Sequence, residues 1–318
     1  MEHGTTRRNL LRTCLGGALA ARAQAPVKSR VVIARDPLMG PRVSPDASRV
    51  LKLLDRAMQS LCGVDAPLEA WKKIVRPGEM VGLKVNCLAG RGGSTSVVLC
   101  EAICERLKQA GIQDIVIWDR SNWDLESGGF RAASRKDRVR CVGNDDTGYE
   151  SDLAEYGSAG SRMSQTLTRV CDAVINVPTL KDHGIVGVTM ALKNFFGAIH
   201  NPNKYHANVG DPYVADVYML PPIRQKVRLA ICDAITAQYE GGPSYMPQWT
   251  WPFNGLILSR DPVALDYTGW QIIERKRAEK GMKSLREMRR EPTYIARAAD
   301  PQHRLGTNDP RSIELVET

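Results

Sequence analysis

Short, uninterrupted apolar runs alternate with helical segments along most of this 318-residue chain. Strands buried on both faces have continuous apolar sequences, and intervening helices provide the crossovers of a parallel sheet. The alternation therefore predicts an α/β fold with a mostly parallel sheet flanked by helices (Rossmann-like), with inserted loops or a second, smaller α/β subdomain. We predict strands at residues 30–34, 80–86, 114–119, 171–177, 227–232 and 255–259, and helices at residues 44–62, 67–74, 95–110, 222–226 and 262–280.

Residues 26–318 have the length of one large domain, with subdomains at about 30–150 and 151–318 as an alternative. Residues 122–160 are rich in Gly, Ser, Asp and Arg and contain one short predicted strand at residues 139–142. They are expected to form an insertion, either a lid over a cleft or a variable loop.

The N-terminal segment resembles an export signal. Arg7 and Arg8 precede a short, weakly apolar run, and small residues at alternate positions follow in residues 21–25. This pattern predicts a twin-arginine signal at residues 1–25, recognised by the twin-arginine export machinery, and hence a periplasmic or otherwise exported protein. A disordered basic tail is the alternative. The run is far shorter than the ~20 apolar residues of a spanning helix, so no stable membrane span is expected.

Charge and cysteine usage exclude two functional classes. The formal net charge is +9, and residues 274–290 (ERKRAEKGMKSLREMRR) contribute much of the excess. Such a run usually forms a solvated helix face, and without a recognition motif we expect no nucleic-acid partner. Cys14 lies in the signal, and the seven other cysteines include no C-x-x-C motif. We therefore expect no iron–sulfur cluster and interpret cysteines in apolar runs as core residues.

A first candidate site lies where the predicted strand VGLKVN leads through a glycine-rich loop into a helix. Glycines permit close backbone approach to a ligand, and the free N–H groups at a helix start favour an anion. A flexible loop without a ligand is the alternative. The anion-binding candidates are Asn86, Arg91, Gly92, Gly93, Ser94 and Thr95.

Further candidates follow the buried strand at residues 171–177, because α/β sheets place ligands at the carboxyl ends of their strands. Lys181 and His183 come directly after this strand, and Lys193-Asn194 interrupts an apolar run predicted to be helical. Lysines that share a cleft lower each other's pKa, so one of them can act as a base or nucleophile. The catalytic candidates are Lys84, Lys181, His183, Lys193 and Asn194.

Three of the five histidines, His183, His200 and His206, lie close together in sequence. Neutral imidazole binds metals and titrates near neutral pH, so a metal ion or an acid–base role is expected; unrelated loop histidines are the alternative. Asp233 and Glu240 complete the candidate metal ligands and offer carboxylates to offset the lysines. Asp261 and Asp266 are interpreted as a helix cap and a helix-surface residue.

Five motifs together resemble the domain-of-unknown-function family 362 (DUF362). They are VGLKVN with its loop, NVPTLKDHGIVGVTMALKNFFGAIH, CDAITAQYEGGP, LSRDPVALD and LGTNDPRSIELVE. Members that resemble this chain often carry export signals, and some add ferredoxin modules, whose cysteine motif is absent here. The resemblance implies no general activity. Residues that match the family's polar pattern are Lys84, Asn86, Lys181, His183, Lys193, Asn194, Gly197, Asp233 and Gly242.

This chain has Lys181-Asp182-His183 where the family commonly has Lys-Thr-His, and an acid there could alter the charge or the metal preference. The leading hypothesis is an exported enzyme whose lysine- and histidine-rich cleft takes a small anionic substrate or cofactor, with metal assistance as an option. The alternatives are a non-catalytic periplasmic protein that binds an anionic ligand, and a redox metalloprotein built on the histidine cluster.

Overall fold

The computed structural model describes Met1 and residues 28–136 and 138–318, and a mixed sheet of 11 strands lies at its centre. The signal predicted for residues 1–25 lies outside the described residues, apart from Met1. The strands are β1 (Ser29–Arg35), β2 (Met80–Lys84), β3 (Asp114–Asp119), β4 (Ser134–Lys136), β5 (Val139–Gly143), β6 (Tyr149–Tyr156), β7 (Ala159–Ser164), β8 (Ala173–Asn176), β9 (Thr179–His183), β10 (Gly187–Thr189), β11 (Val227–Gln238), β12 (Thr250–Ser259) and β13 (Ile313–Glu317). The helices are α1 (Ala47–Cys62), α2 (Pro67–Lys72), α3 (Val97–Gln109), α4 (Asn122–Ser127), α5 (Asn144–Thr147), α6 (Tyr213–Met219), α7 (Pro221–Lys226), α8 (Pro262–Glu279) and α9 (Tyr294–Ala299).

The strand order of the main sheet is β13-β1-β12-β11-β8-β2-β3-β5-β4, and β9 pairs with both β11 and β10. The strands from β11 through β8, β2 and β3 to β5 are all parallel neighbours. Antiparallel pairing occurs on both sides of this block, between β11 and β12, β12 and β1, and β4 and β5. The predicted α/β fold with a mostly parallel sheet is confirmed.

Each face of the sheet is covered by its own apolar cluster. Val174 and Ile175 are neighbours on β8, and their side chains enter opposite clusters, as strand geometry requires. One cluster includes Leu54 of α1 and Ile103 of α3. The other includes Ile273 of α8 and apolar residues of the 190–199 segment. Burial on both faces explains why the central strands have continuous apolar sequences.

Local signals place several helix ends close to their predicted positions. Asp46 accepts a hydrogen bond from the backbone N–H of Arg49 and caps α1. Asp261 accepts from two backbone N–H groups in the first turn of α8, which ends within one residue of its predicted end. The solvated-face interpretation of residues 274–290 is wrong for Arg277, which is buried and pairs with Glu240.

The predicted insertion at residues 122–160 contains regular structure. It includes α4, β4, β5 and α5, and β6 forms an antiparallel hairpin with β7. Asn144 donates to the carbonyl of Gly197 at 2.8 Å, and Met163 of the hairpin forms a bridge with Ile199. The insertion therefore packs against the segment that carries Lys193 and Asn194.

That segment also differs from its predicted helix. Lys181 lies in β9, which turns back into β10, and residues Lys193–Ala198 form a 3-10 helix. Strands of five and three residues that contain Lys, Asp and His lack the apolar alternation that identifies longer strands.

Among the described residues, no helix is both long enough and apolar enough to cross a bilayer.

Candidate functional site

The carboxyl ends of three adjacent parallel strands place polar side chains side by side. Lys84 is the last residue of β2, and its backbone is paired with Trp118 of β3 and Asn176 of β8. Asp119 follows Trp118 as the last residue of β3. This is the edge at which α/β sheets bind ligands.

A cavity of about 390 Å³ opens at this edge. All five predicted catalytic residues line it, together with Asn86 and His206. The polar lining residues are Lys84, Asn86, Asp119, Arg120, Asp124, Lys181, His183, Thr189, Lys193, Asn194, Asn203 and His206, and the others are Leu88, Ile185, Phe196, Gly197, Pro202 and Pro243.

Lys84 is neutralised within the protein. Its Nζ lies 2.6 Å from Oδ1 of Asp119, and both side chains are buried. The other carboxylate oxygen of Asp119 accepts from the backbone N–H of Cys87 at 2.7 Å. Asp119 is not among the predicted site residues, although its place at the end of a predicted strand was a usable signal. An ion pair this well buried costs about 3–5 kcal/mol when one partner is removed.

Three asparagine amides connect the strand ends to the lysines. Asn194 donates to Oδ1 of Asn176 at 2.7 Å and to the carbonyl of Lys84 at 3.2 Å. Its own Oδ1 accepts from Asn86 at 3.1 Å, and Asn86 in turn accepts from Nζ of Lys181 at 2.8 Å. Because the amide of Asn194 is fully engaged, it acts as a positioning residue.

Lys181 and Lys193 have no carboxylate partner among the described residues. The carboxylates that line the cavity are already paired, Asp119 with Lys84 and Asp124 with Arg120. Burial, reinforced by Arg42, lowers the pKa of Lys181 to about 7. Burial and the charge of Lys181 lower the pKa of Lys193 to about 7.

The hydrogen bonds of His183 determine its tautomer. Nδ1 accepts from the backbone N–H groups of Ile185 and Val186, at 3.1 and 3.3 Å. The neutral ring therefore carries its proton on Nε2 and presents a donor. Burial and the charge of Lys193 lower the pKa of this imidazole to about 2, so it stays neutral. Metal-ligating histidines instead donate through the nitrogen that does not bind the metal.

His206 has the opposite tautomer. Its Nδ1 lies 3.3 Å from the carbonyl of Asn203, which only accepts, so neutral His206 keeps a lone pair on Nε2. Its ring stacks on that of His183, with 5.4 Å between the centroids. Burial, with the charge of Lys193, lowers the pKa of His206. The pair thus combines one hydrogen-bond donor with one acceptor.

Strand alternation explains why Asp182, which lies between Lys181 and His183 in the sequence, points away from the cavity. Lys181 and His183 line the cavity, whereas the carboxylate of Asp182 accepts from the backbone N–H of Gly242 and approaches Arg290. A Cβ on Gly242 would lie 2.0 Å from the carbonyl oxygen of Asp182. Burial raises the pKa of Asp182 to about 6. The acid anchors the loop at Gly242 and does not add charge to the cavity lining.

The predicted anion loop requires a correction, since only Asn86 of that group lines the cavity. Gly92 and Gly93 pack against Tyr245, and a Cβ on Gly92 would lie 2.3 Å from its ring. Ser94 and Thr95 are buried behind the loop, and Arg91 is exposed. The carboxylate of Asp233 accepts from the backbone N–H of Ser96 at 2.7 Å. The helix start thus binds an anion that belongs to the protein itself.

The five predicted metal ligands do not lie together. Only His183 and His206 share the cavity. His200 is exposed and contacts the edge of Tyr149, Asp233 pairs with Arg42, and Glu240 pairs with Arg277 and Arg290. No group of three or more His, Cys, Asp or Glu side chains that could hold a metal ion occurs in residues 28–136 and 138–318. Asp233 and Glu240 also do not offset the lysines, because arginines already neutralise them.

Asp266 was interpreted as a helix-surface residue, and this is wrong. It is fully buried and accepts from the backbone N–H groups of Ala191 and Leu192, at 2.8 and 3.0 Å. Burial raises the pKa of this carboxyl to about 8. Asp266 therefore fixes the backbone directly before Lys193 and Asn194.

Comparison with known proteins agrees with the motifs at this edge. The model of the family described as Domain of unknown function (DUF362) matches residues 81–271, which include every lysine and histidine of the cavity. This chain belongs to the DUF362 family.

A thylakoid-associated protein of Synechocystis sp. (strain ATCC 27184 / PCC 6803 / Kazusa) is 27% identical over 220 residues, covering 65% of this chain and 67% of the relative. A crystal structure of a Thermotoga maritima protein from the Northeast Structural Genomics Consortium aligns with a TM-score of 0.44 and 9% identity. That alignment covers 77% of this chain and 61% of the other, so this DUF362 chain matches less than two thirds of its length.

Replacing Gly197 with alanine should disrupt the Lys84–Asp119 pair. A Cβ at this position would lie 2.8 Å from Nζ of Lys84 and 2.9 Å from Oδ1 of Asp119. We expect Gly197→Ala to lower the free energy of unfolding by about 1–3 kcal/mol, the usual cost of overpacking. Urea denaturation measures this change. Gly160→Ala is the matched control, because its Cβ would meet only Glu155 side-chain atoms at 3.6 Å. Equal stability of the two variants would contradict the prediction.

The neutral state of His183 should make stability depend on pH. Unfolded histidine binds a proton below about pH 6.5, whereas folded His183 stays neutral down to about pH 2. The folded state is therefore destabilised as pH falls below about 6.5, by about 1.4 kcal/mol per pH unit for one proton. His183→Gln should reduce this slope between pH 6.5 and 5 in urea denaturation, and His200→Gln should not. An unchanged slope in His183→Gln would show that His183 is protonated in the folded protein.

Proposed function

We propose that this protein is an exported enzyme that acts on a small anionic substrate held between Lys181 and Lys193. The observation that carries the proposal is the charge distribution at the cavity. Three lysines, one arginine and two carboxylates line it among the described residues, and both carboxylates are paired. An anion of the substrate supplies the partner that the two remaining lysines lack.

Neutral donors in the cavity also favour an oxygen-rich anion. The Nε2–H of His183 is a donor because Nδ1 accepts two backbone hydrogen bonds. The hydroxyl of Thr189 is buried without a hydrogen-bond partner among the described residues, and Thr189 is paired across β9 and β10 with Lys181. A buried polar group without a partner costs about 1–3 kcal/mol, which a ligand oxygen would recover.

The same charges provide reactive groups. Two buried ammonium ions in one cavity repel each other, so near pH 7 one of the two lysines loses its proton and becomes a base or a nucleophile. A bound carboxylate favours the ammonium form of the lysine that it contacts. A neutral amine at near-neutral pH is the group that an enzyme of this kind needs and that a non-catalytic binding protein does not, and this supports the enzyme proposal.

Calorimetric titration with oxalate and with inorganic phosphate tests anion binding. We expect both anions to bind the wild-type protein and Lys181→Met/Lys193→Met to lose at least tenfold in affinity. At pH 8, oxalate binding should take up protons, because the anion raises the pKa of the lysines. Titration in buffers of different ionisation enthalpy measures this uptake.

The matched control is Lys204→Met, since Lys204 is exposed beside the cavity and donates only to the carbonyl of Gly160. Its affinity for oxalate should equal that of the wild type. Wild-type affinity in the double variant would refute the proposal. Binding without proton uptake would favour the binding-protein alternative. The redox metalloprotein alternative requires ligands that converge, and the five predicted ligands lie apart in the described structure.

Export by the twin-arginine route is the second part of the proposal, and it rests on Arg7 and Arg8 before the weakly apolar run. The cysteines support it, because all seven in the described residues are free thiols and six of them are buried. A protein that completes its fold in a reducing compartment before export has no need of disulfides.

Expression in a bacterium with a twin-arginine translocase tests export. The wild-type chain should reach the periplasm in shortened form, and Arg7→Lys/Arg8→Lys should remain full-length in the cytoplasm. Arg12→Lys/Arg22→Lys is the matched control and should be exported. Equal export of the two double variants would show that Arg7 and Arg8 do not form a signal.

A further inference from the structure

The two unpaired lysines of the cavity are held in different ways. Nζ of Lys181 donates to Oδ1 of Asn86 at 2.8 Å, and Asn86 is itself bound by Asn194. Nζ of Lys193 has no hydrogen-bond acceptor among the described residues and lies 4.6 Å from the ring centroid of Phe196. Lys181 is thus a fixed hydrogen-bond donor, whereas the Lys193 amine can form a new bond without breaking one within the protein.

The groups around the two lysines define which chemical groups the ligand must carry. Lys181 and Thr189 are cross-strand neighbours, so together they provide donors for a carboxylate. The ring of His183 offers its Nε2–H to another oxygen and is held neutral. Leu88 and Ile185 add an apolar part to the wall. The ligand therefore needs a carboxylate, a second oxygen, an apolar substituent and a carbon that accepts an amine.

We infer that the substrate is a 2-oxo acid and that Lys193 forms an imine with its carbonyl carbon. This inference rests on the proposed function, because it identifies the anion of the same cavity. A 2-oxo acid carries its carbonyl next to its carboxylate. Lys181 and Thr189 bind the carboxylate, His183 donates to the carbonyl oxygen, and the apolar wall receives the substituent.

The reaction balances without an oxidant or a reductant. The neutral amine of Lys193 attacks the carbonyl carbon, a C–N bond forms, and the π electrons of the carbonyl move to its oxygen. The nitrogen transfers one of its two protons to this oxygen, which becomes a hydroxyl group. The nitrogen lone pair then expels the hydroxyl, which takes up the second nitrogen proton and leaves as water, so that the C–O bond breaks and the C=N bond is completed. The net change is amine plus carbonyl to imine plus water. An amine that loses its proton near pH 7 is the reactive form.

Trapping by sodium borohydride tests the inference on the full-length protein. Borohydride adds a hydride to an imine and leaves a stable secondary amine, which peptide mass spectrometry locates. With pyruvate, we expect one reduced adduct per chain, on Lys193. L-lactate has no carbonyl and should give none. Lys193→Met should abolish the adduct, and Lys204→Met, the exposed control, should retain it.

The pKa of Lys193, about 7, also predicts how borohydride trapping depends on pH. The adduct should increase as pH rises through about 7, because the neutral amine becomes more abundant. An adduct on Lys181, an adduct that survives Lys193→Met, or no adduct in the wild-type protein would each overturn the inference. If Lys193→Met fails to fold by circular dichroism, Lys193→Arg replaces it, since a guanidinium keeps the charge but does not form the imine.

Oxalate binding separates this inference from the proposed function. Oxalate has two carboxylates and no ketone, so it tests the anion site alone. If oxalate binds and pyruvate is not trapped, the imine is refuted and the anion site stands. If neither oxalate nor pyruvate binds, both the inference and the proposed function fail.

Discussion

Burying lysine ammonium groups at one sheet edge is the constraint on which this structure depends. A buried charge is costly unless it is paired or loses its proton, and the protein uses both solutions. Lys84 is paired with Asp119, so it behaves as part of the framework. Lys181 and Lys193 have no carboxylate partner among the described residues, and burial lowers their pKa values to about 7. The same constraint thus leaves two lysines at this edge whose pKa values lie near neutrality.

Much of the surrounding structure holds these lysines in place. The asparagine amides connect the ends of β2 and β8 to Lys181 through Asn86 and Asn194. Asp266 of α8 fixes the backbone directly before Lys193. Gly197 leaves the space that the ion pair of Lys84 occupies. Most polar side chains around the cavity therefore position others, and the groups left to meet a ligand are Lys181, Lys193, His183, His206 and Thr189.

The sequence predicted the central strands and the longer helices well, because burial on both faces and helix caps leave local signals. It also identified the five catalytic candidates, Lys84, Lys181, His183, Lys193 and Asn194, which the structure brings to one cavity. Prediction from the sequence failed where the role of a side chain depends on the residue that it contacts in the folded protein. Asp233 and Glu240 were expected to neutralise the lysines, but Arg42 and Arg290 lie closer to them in space. Asp119 was missed because the role of a single carboxylate at a strand end becomes evident only when the neighbouring strand places Lys84 beside it. Gly92 and Gly93 were interpreted as ligand contacts, whereas their lack of a side chain leaves room for Tyr245 to pack against the loop.

The sequence by itself determined the fold class and identified the segments that carry the lysines and histidines of the cavity. These properties depend on neighbours within a few residues, and hydrophobic periodicity and strand geometry report them directly. Only the tertiary structure decided which charges are neutralised and which carboxylate occupies the start of α3. Those outcomes depend on contacts between residues that lie far apart in the sequence, such as Ser96 and Asp233. The electrostatic environment of a buried group is set by such contacts, and sequence spacing does not encode them.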